Sequence, residues 1–246
     1  MHVGKMPTLL HAVIDASGLS RRKAFASIRD GLVTVDRAAV ADPSSEYEGG
    51  VLRLDGRVIE AGAEPKTYLL LNKPPGIVTT AADEMGRRTA LDLVPAELRA
   101  SGLHTVGRLD RDTSGLLLLT NDGDFTYALT HPKHEVEKEY WVRLASPADE
   151  GMFAQLRRGV EIDGQVRRPL RLVRLRGERF DISVTIQEGR NRQVRRMFES
   201  AGARITLLRR VREGPLDLGL LAEGAVRRLM AEEVEGLMRE VLSRGG

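Results

Sequence analysis

Leu9, Leu10, Val13 and Ile14 recur at the spacing of one helical face. Thr8 stands where an N-cap belongs and Gly18 where a helix stops in the left-handed region, so a short helix is predicted between them. A second follows in RRKAFASIRD, with Ser20 as its cap. Ala24 and Ile28 fall on one side of it, and Arg22 and Arg29, seven apart, fall roughly on the other. After Gly31 the period drops to two: LVTVD reads as a short strand and VLRLDGRVI as two strands around an Asp55–Gly56 hairpin turn. Ala61 to Lys66, with Gly62 and Pro65, breaks the pattern and reads as a linker. It divides the chain into a front domain over 8–65 and a larger one over 66–246.

In the larger domain YLLLN reads as a strand, KPPG as a rigid turn, and TALDLVPAELRA as a helical stretch interrupted by Pro95. LLLLT, VEKEYWVRL, FDISVTIQ and ITLLRRVR follow as strands, and NRQVRRMFES and AEEVEGLMREVL as the clearest helices. The mixture predicts an α+β fold. In VEKEYWVRL the alternation puts Val136, Lys138, Tyr140, Val142 and Leu144 on one face, so Lys138 and Tyr140 point the same way into the domain.

Composition narrows the class. A chain of 246 residues, 41% hydrophobic and 30% charged, can bury a proper core, and no apolar run approaches the roughly 18–20 residues of a membrane span. The absence of cysteine excludes disulfides, thiolate metal sites and thiol nucleophiles, and Met1 to Leu10 carries no secretory pattern, so a cytoplasmic protein is expected. Net charge is only +3, but Ile186 to Arg212 holds eight arginines against Glu188 and Glu199. Such a block is either a solvated face or the footprint of something that holds a polyanion, nucleic acid first.

The densest polar cluster is TVGRLDRDTSGLLLLTNDG. Asp110 lies there between a glycine-led turn and an apolar strand, among Arg108, Arg111, Asp112, Thr113 and Ser114. Two readings fit: a carboxylate nucleophile kept ionised by guanidinium groups, or a pair of aspartates pinning a turn. In EGRNRQVRRMF, Gly189 ends a strand, and the following helix buries Val194, Met197 and Phe198, leaving Arg192, Arg195 and Arg196 for charge work. One of these could pair with Asp110, and Tyr140 is either a base-stacking platform or an ordinary core tyrosine. HPKH places His131 and His134 three apart, but Pro132 and the lack of a third ligand at suitable spacing argue against metal.

GLSRRKAFASIRDGLVTVD and VLRLDGRVI resemble the RNA-binding module first seen in ribosomal protein S-four. The resemblance implies that Arg21, Arg22, Lys23 and Arg29 contact phosphates. The usual Asn–Gly–Lys turn of that module is replaced by Asp36, Arg37 and Ala38. Behind it, YLLLNKPPGIVTT, GRLDRDTSGLLLLTNDG, HPKHEVEKEYWV and EGRNRQVRRMF occur in the order found in pseudouridine synthases that modify ribosomal RNA, and EGRNRQVRRM is more similar to the branch acting on 23S than to that acting on 16S rRNA. The resemblance implies a mixed, largely antiparallel catalytic sheet flanked by helices. It implies Asp110 as the catalytic carboxylate, Tyr140 against the uracil, Arg195 in a salt bridge orienting Asp110, and Arg108 entering the RNA where the base has left. Lys138 and Arg192 are further RNA contacts on the same basis. No cofactor or metal is implied, since isomerising uridine gains and loses no atoms. The expected partner is ribosomal RNA, free or in a pre-ribosomal particle, and the expected state is a monomer. The competing readings are a non-catalytic rRNA-binding assembly factor and a hydrolase using Asp110 with Asp112; the second needs carboxylates about 5–9.5 Å apart and facing, which a tight loop rarely provides.

Overall fold

The computed structural model describes residues 7–19, 21–59, 65–80 and 86–244. The Ser20 cap and most of the linker read at 61–66 lie outside them. The chain parts into two compact units, Met1–Lys66 with Ala100–Gly102, and Thr67–Arg99 with Leu103–Gly246.

In the first unit, α1 (Leu9–Ser17) starts at Thr8, whose hydroxyl accepts from His11 N, and ends at Gly18 with φ 67°. Helix α2 (Arg21–Arg29) buries Ala24 and Ile28 and leaves Arg21, Arg22, Lys23 and Arg29 exposed. Four short strands, β1 (Val33–Val35), β2 (Ala38–Ala39), β3 (Leu52–Leu54) and β4 (Arg57–Val58), form a sheet in the order β2-β1-β3-β4. Leu9, Val13, Ile28, Val33 and Leu52 fill the core beneath it. The β1–β2 turn holds Asp36 and Arg37 at φ 48° and 73°, and Asp36 Oδ1 accepts from Val51 N at 2.8 Å, so a side-chain hydrogen bond supports a turn that lacks its glycine.

The second unit begins with β5 (Tyr68–Lys73), β6 (His104–Val106), β7 (Ser114–Thr120), α3 (Gly123–Thr130), β8 (Lys138–Leu144) and α4 (Glu150–Arg158). It continues through β9 (Val160–Ile162), β10 (Gln165–Arg167), β11 (Arg171–Arg174), β12 (Ile182–Ile186) and α5 (Gln193–Ser200). Strands β13 (Ile205–Glu213), β14 (Leu216–Asp217) and β15 (Val226–Arg228) lead into α6 (Ala231–Arg244). Among the described residues nine strands form one sheet with the path β11-β12-β8-β13-β7-β5-β15; β14 pairs with β13 and β6 with β7. Strands β13 and β7 run parallel, and the other ladders of this sheet are antiparallel. The fold is therefore α+β with a mixed, largely antiparallel sheet, as expected.

LLLLT is apolar without alternation because both faces of β7 are covered. Leu117 and Leu119 join Leu69, Leu71, Tyr140 and Val142 under α4 and α5, whereas Leu116 and Leu118 join Leu70 under Phe125 of α3 and Leu237 of α6. TALDLVPAELRA departs from the helical expectation: it forms two single 3-10 turns, Leu91–Leu93 and Ala96–Leu98. Pro95 forces Val94 into the extended region at ψ 121°, and Thr89 N donates to Asp92 Oδ2 at 2.7 Å, closing the first turn before a helix can propagate.

Gly115 sets the spacing at the centre of the sheet. Its φ is 105°, and a Cβ there would collide with the backbone carbonyl oxygen of Arg210 and lie 2.8 Å from that residue's nitrogen. Gly115→Ala is expected to lower stability by at least about 3 kcal/mol, read from urea unfolding followed by the fluorescence of Trp141; a loss under about 1 kcal/mol would show that β7 and β13 separate easily.

Candidate active site

The loop from Gly107 to Thr113 joins β6 to β7, and its backbone carbonyls are held in turn. Thr79 Oγ1 donates to Leu109 O at 2.7 Å, and Thr113 N donates to Asp110 O at 3.0 Å. Gly76 N and Lys73 Nζ donate to Arg111 O at 2.8 and 3.2 Å, and Arg195 Nη2 donates to Asp112 O at 3.0 Å. The KPPG turn is thus the near wall of the loop and α5 the far wall. Asp110 stands half-buried between them.

Lys73 has 0% exposure, and its ammonium also donates to Pro74 O at 2.9 Å and Ile77 O at 2.8 Å. Three hydrogens meet three carbonyls, the full capacity of the group. Burial pulls its pKa down to about 8, against the attraction of Asp112, Asp110 and Glu223.

The strand registers place Lys73 opposite Gly115, Gly115 opposite Arg210, and Arg210 opposite Tyr140. This row crosses four strands. Arg210 is 2% exposed; its Nε donates to Leu116 O at 2.8 Å, and its Nη2 lies 3.3 Å from Glu213. Glu213 also takes Lys138 Nζ at 3.7 Å. Burial raises the pKa of Tyr140, with the charges of Glu213 and Asp110 adding to the rise while Arg210 opposes it by charge and hydrogen bond. The phenol is therefore neutral at physiological pH, and its oxygen accepts the hydrogen bond from Arg210.

Arg195 is 7% exposed, and its Nη1 donates to Ile205 O at 3.3 Å. Burial and then Arg192 pull its pKa down, while Asp110 and Asp112 pull it up. The expected Asp110–Arg195 salt bridge is replaced by the grip on Asp112 O, so Arg195 acts on Asp110 through the loop backbone and through charge at longer range. Its Nε is buried without an acceptor among the described residues. Asp110 thus bears on Lys73, Tyr140 and Arg195 together.

Other residues read from sequence fall elsewhere. Arg108 is exposed on the loop, and Arg192 is exposed at the start of α5 with φ 50°. Arg196 is committed to Asp163 at 2.6 and 2.9 Å. Lys138, expected on the RNA, is a buried partner of Glu213 whose Nζ also donates to Val136 O at 3.0 Å, so its charge is used inside the domain. Asp112 is exposed and paired with Arg111 at 3.1 Å, which turns it away from a carboxylate-pair role with Asp110. His104 Nε2 and Thr126 Oγ1 share a hydrogen bond of 2.8 Å. The sequence does not single out Lys73, Arg210 and Glu213; for Lys73 the available signal is a charge at the end of the mostly apolar strand YLLLNK.

A family model described as RNA pseudouridylate synthase matches residues 67–200, which hold the KPPG turn, the Asp110 loop, Tyr140 and Arg195. The chain belongs to the RNA pseudouridylate synthase family. Within this family it is 39% identical over 248 residues to the ribosomal large subunit pseudouridine synthase B of Xanthomonas campestris pv. campestris, covering 96% of this chain and 50% of that protein. It is 35% identical over 240 residues to the protein of the same name from Bacillus subtilis, covering 94% and 96%. The chain spans about half the length of several curated synthases it matches. A crystal structure of a pseudouridylate synthase aligns with TM-score 0.66 and 32% identity over 95% of this chain and all of that one.

Lys73 gives this synthase fold a pH signature. Its folded pKa of about 8 lies below the ordinary lysine value of 10.5, so between those values the unfolded chain binds more protons and stability gains from rising pH. Lys73→Met has no such group. Wild type is expected to gain stability relative to Lys73→Met as pH rises from about 8 to about 10.5, read by paired urea titrations; a constant difference would place the ammonium in water-like surroundings.

Proposed function

We propose that the chain isomerises uridine to pseudouridine in ribosomal RNA of the large subunit, the 23S molecule, with Asp110 as the catalytic carboxylate. The observation that carries this reading is a half-buried aspartate on a loop whose carbonyls are held from opposite sides by the buried cations Lys73 and Arg195. Family membership supplies the reaction class, and the names of the Xanthomonas and Bacillus relatives supply the substrate class.

In the reaction the bond from ribose C1′ to uracil N1 breaks, the base turns, and C1′ bonds to C5. The C5 proton leaves and N1 takes one up, so atoms balance with no redox change. Asp110 initiates the exchange, and neutral Tyr140 lines the inner wall against the uracil. The base must leave its stack, at a cost of roughly a few kcal/mol, and exposed Arg108 on the same loop fills the gap. Arg192, exposed at the start of α5, faces phosphate. In the first unit, taken as the S-four type module over 8–65, exposed Arg21, Arg22, Lys23 and Arg29 hold the backbone and so position rather than specify. Such an enzyme works in the cytoplasm, on free or partly assembled rRNA.

The test is tritium release from rRNA transcripts labelled at uridine C5, run with wild type and Asp110→Ala. Wild type is expected to release tritium and the variant to lose at least about 10³-fold in rate, a barrier change of about 4 kcal/mol, while RNA affinity changes less than about threefold. Retained turnover in purified Asp110→Ala would remove Asp110 from the chemistry; no release by wild type from any rRNA would remove the isomerase reading itself.

A further inference from the structure

Between Arg157 and Arg179 the chain carries eight arginines against Glu161, Asp163 and Glu178. Two are neutralised nearby: Arg167 pairs with Glu188 and Arg174 with Glu150, each at 2.6 Å. Asp163 is already taken by Arg196. Arg157 and Arg168 are exposed and have no carboxylate partner among the described residues.

Both arginines converge on an open groove of about 390 Å³ floored by Pro169, Leu170 and Leu172. The groove lies between α4 and the edge strand β11, so no further strand covers it. The ring of Phe153, itself 1% exposed, lies 5.5 Å from the Arg157 guanidinium and 4.2 Å from that of Arg174, which anchors the arginine stem before anything binds. Paired guanidinium groups above an apolar floor suit a nucleotide unit: phosphate oxygens take the forked donors, and sugar or base covers the leucines.

The path from β11 to β7 crosses β12, β8 and β13. At about 4.8 Å per strand that is about 19 Å across the sheet, too far for the nucleotide that meets Asp110. An occupant serving the same enzyme must be a long polyanion. We propose that this groove binds the sugar-phosphate backbone of the substrate RNA several nucleotides from the target uridine, with phosphates on Arg157 and Arg168. The inference rests on the RNA substrate assigned above.

The test compares wild type, Arg157→Ala/Arg168→Ala and Arg157→Lys/Arg168→Lys on a large-subunit rRNA transcript and on the shortest fragment that still releases tritium. On the long RNA the double alanine variant is expected to raise Kd about tenfold and to flatten the slope of log K against log salt by about 1.4, the effect of two phosphate contacts on single-stranded RNA. Its kcat at saturation and its behaviour on the short fragment stay at wild-type values. The double lysine variant keeps the salt slope, because the charge remains. Unchanged affinity and slope on the long RNA would overturn the proposal, as would equal losses on both RNAs, or an effect seen only on binding an acidic protein. If wild type released no tritium from any rRNA, the isomerase reading would fall, and the salt slope from the same titrations would still decide whether the groove holds RNA.

Discussion

An ammonium group shut away from water must place each of its hydrogens on an acceptor, and Lys73 places all of them on the backbone around the Asp110 loop. One of its acceptors is Arg111 O, within the loop itself, and the others belong to the turn packed beside it. The lysine therefore fastens two segments distant in sequence and steadies the loop of a half-buried carboxylate that has no side-chain hydrogen bond among the described residues. Arg195 repeats the device from the opposite wall. Buried cations thus act here as backbone clamps, and their charge comes with the geometry.

A second set of charges lies across the sheet. Arg210 and Lys138 share Glu213, and Tyr140 sits opposite Arg210 in register. A buried ion pair is weak evidence for stability in itself, since desolvation opposes most of the Coulomb attraction. Its use here is placement: Arg210 holds the Tyr140 hydroxyl within an otherwise apolar cluster.

Much of this was legible in the sequence, for reasons tied to particular residues. Thr8 and Gly18 bound the first helix because caps are local chemistry, whereas the loop around Asp110 fits a turn-pinning pair of aspartates equally, and only the order of the neighbouring motifs points to a catalytic carboxylate. Arg195 meets Asp112 O rather than the expected Asp110 carboxylate, because no spacing rule tells whether a guanidinium will meet a carboxylate or a carbonyl. Arg210 and Glu213 were hidden by two irregularities in the pairing of β13 with β8, between Ile205 and Leu207 and between Arg210 and Arg212, which break the alternation that would have marked them as buried. The TALDLVPAELRA segment has helical composition, yet Pro95 and the Thr89–Asp92 bond decide its shape.

The two-faced burial of the central strands separates what neighbouring substitutions reach. Leu117 and Leu118 are neighbours in sequence and equally buried, but Leu117 packs in the cluster that includes Tyr140 and Leu109, and Leu118 packs with α3 and α6 on the far side. A change of volume at Leu117 is felt by the residues packed around Tyr140 and Leu109, while one at Leu118 is felt by those of α3 and α6. Adjacent positions of one strand thus answer to different neighbourhoods, one reaching the Asp110 loop through Leu109 and one reaching the helices of the far face.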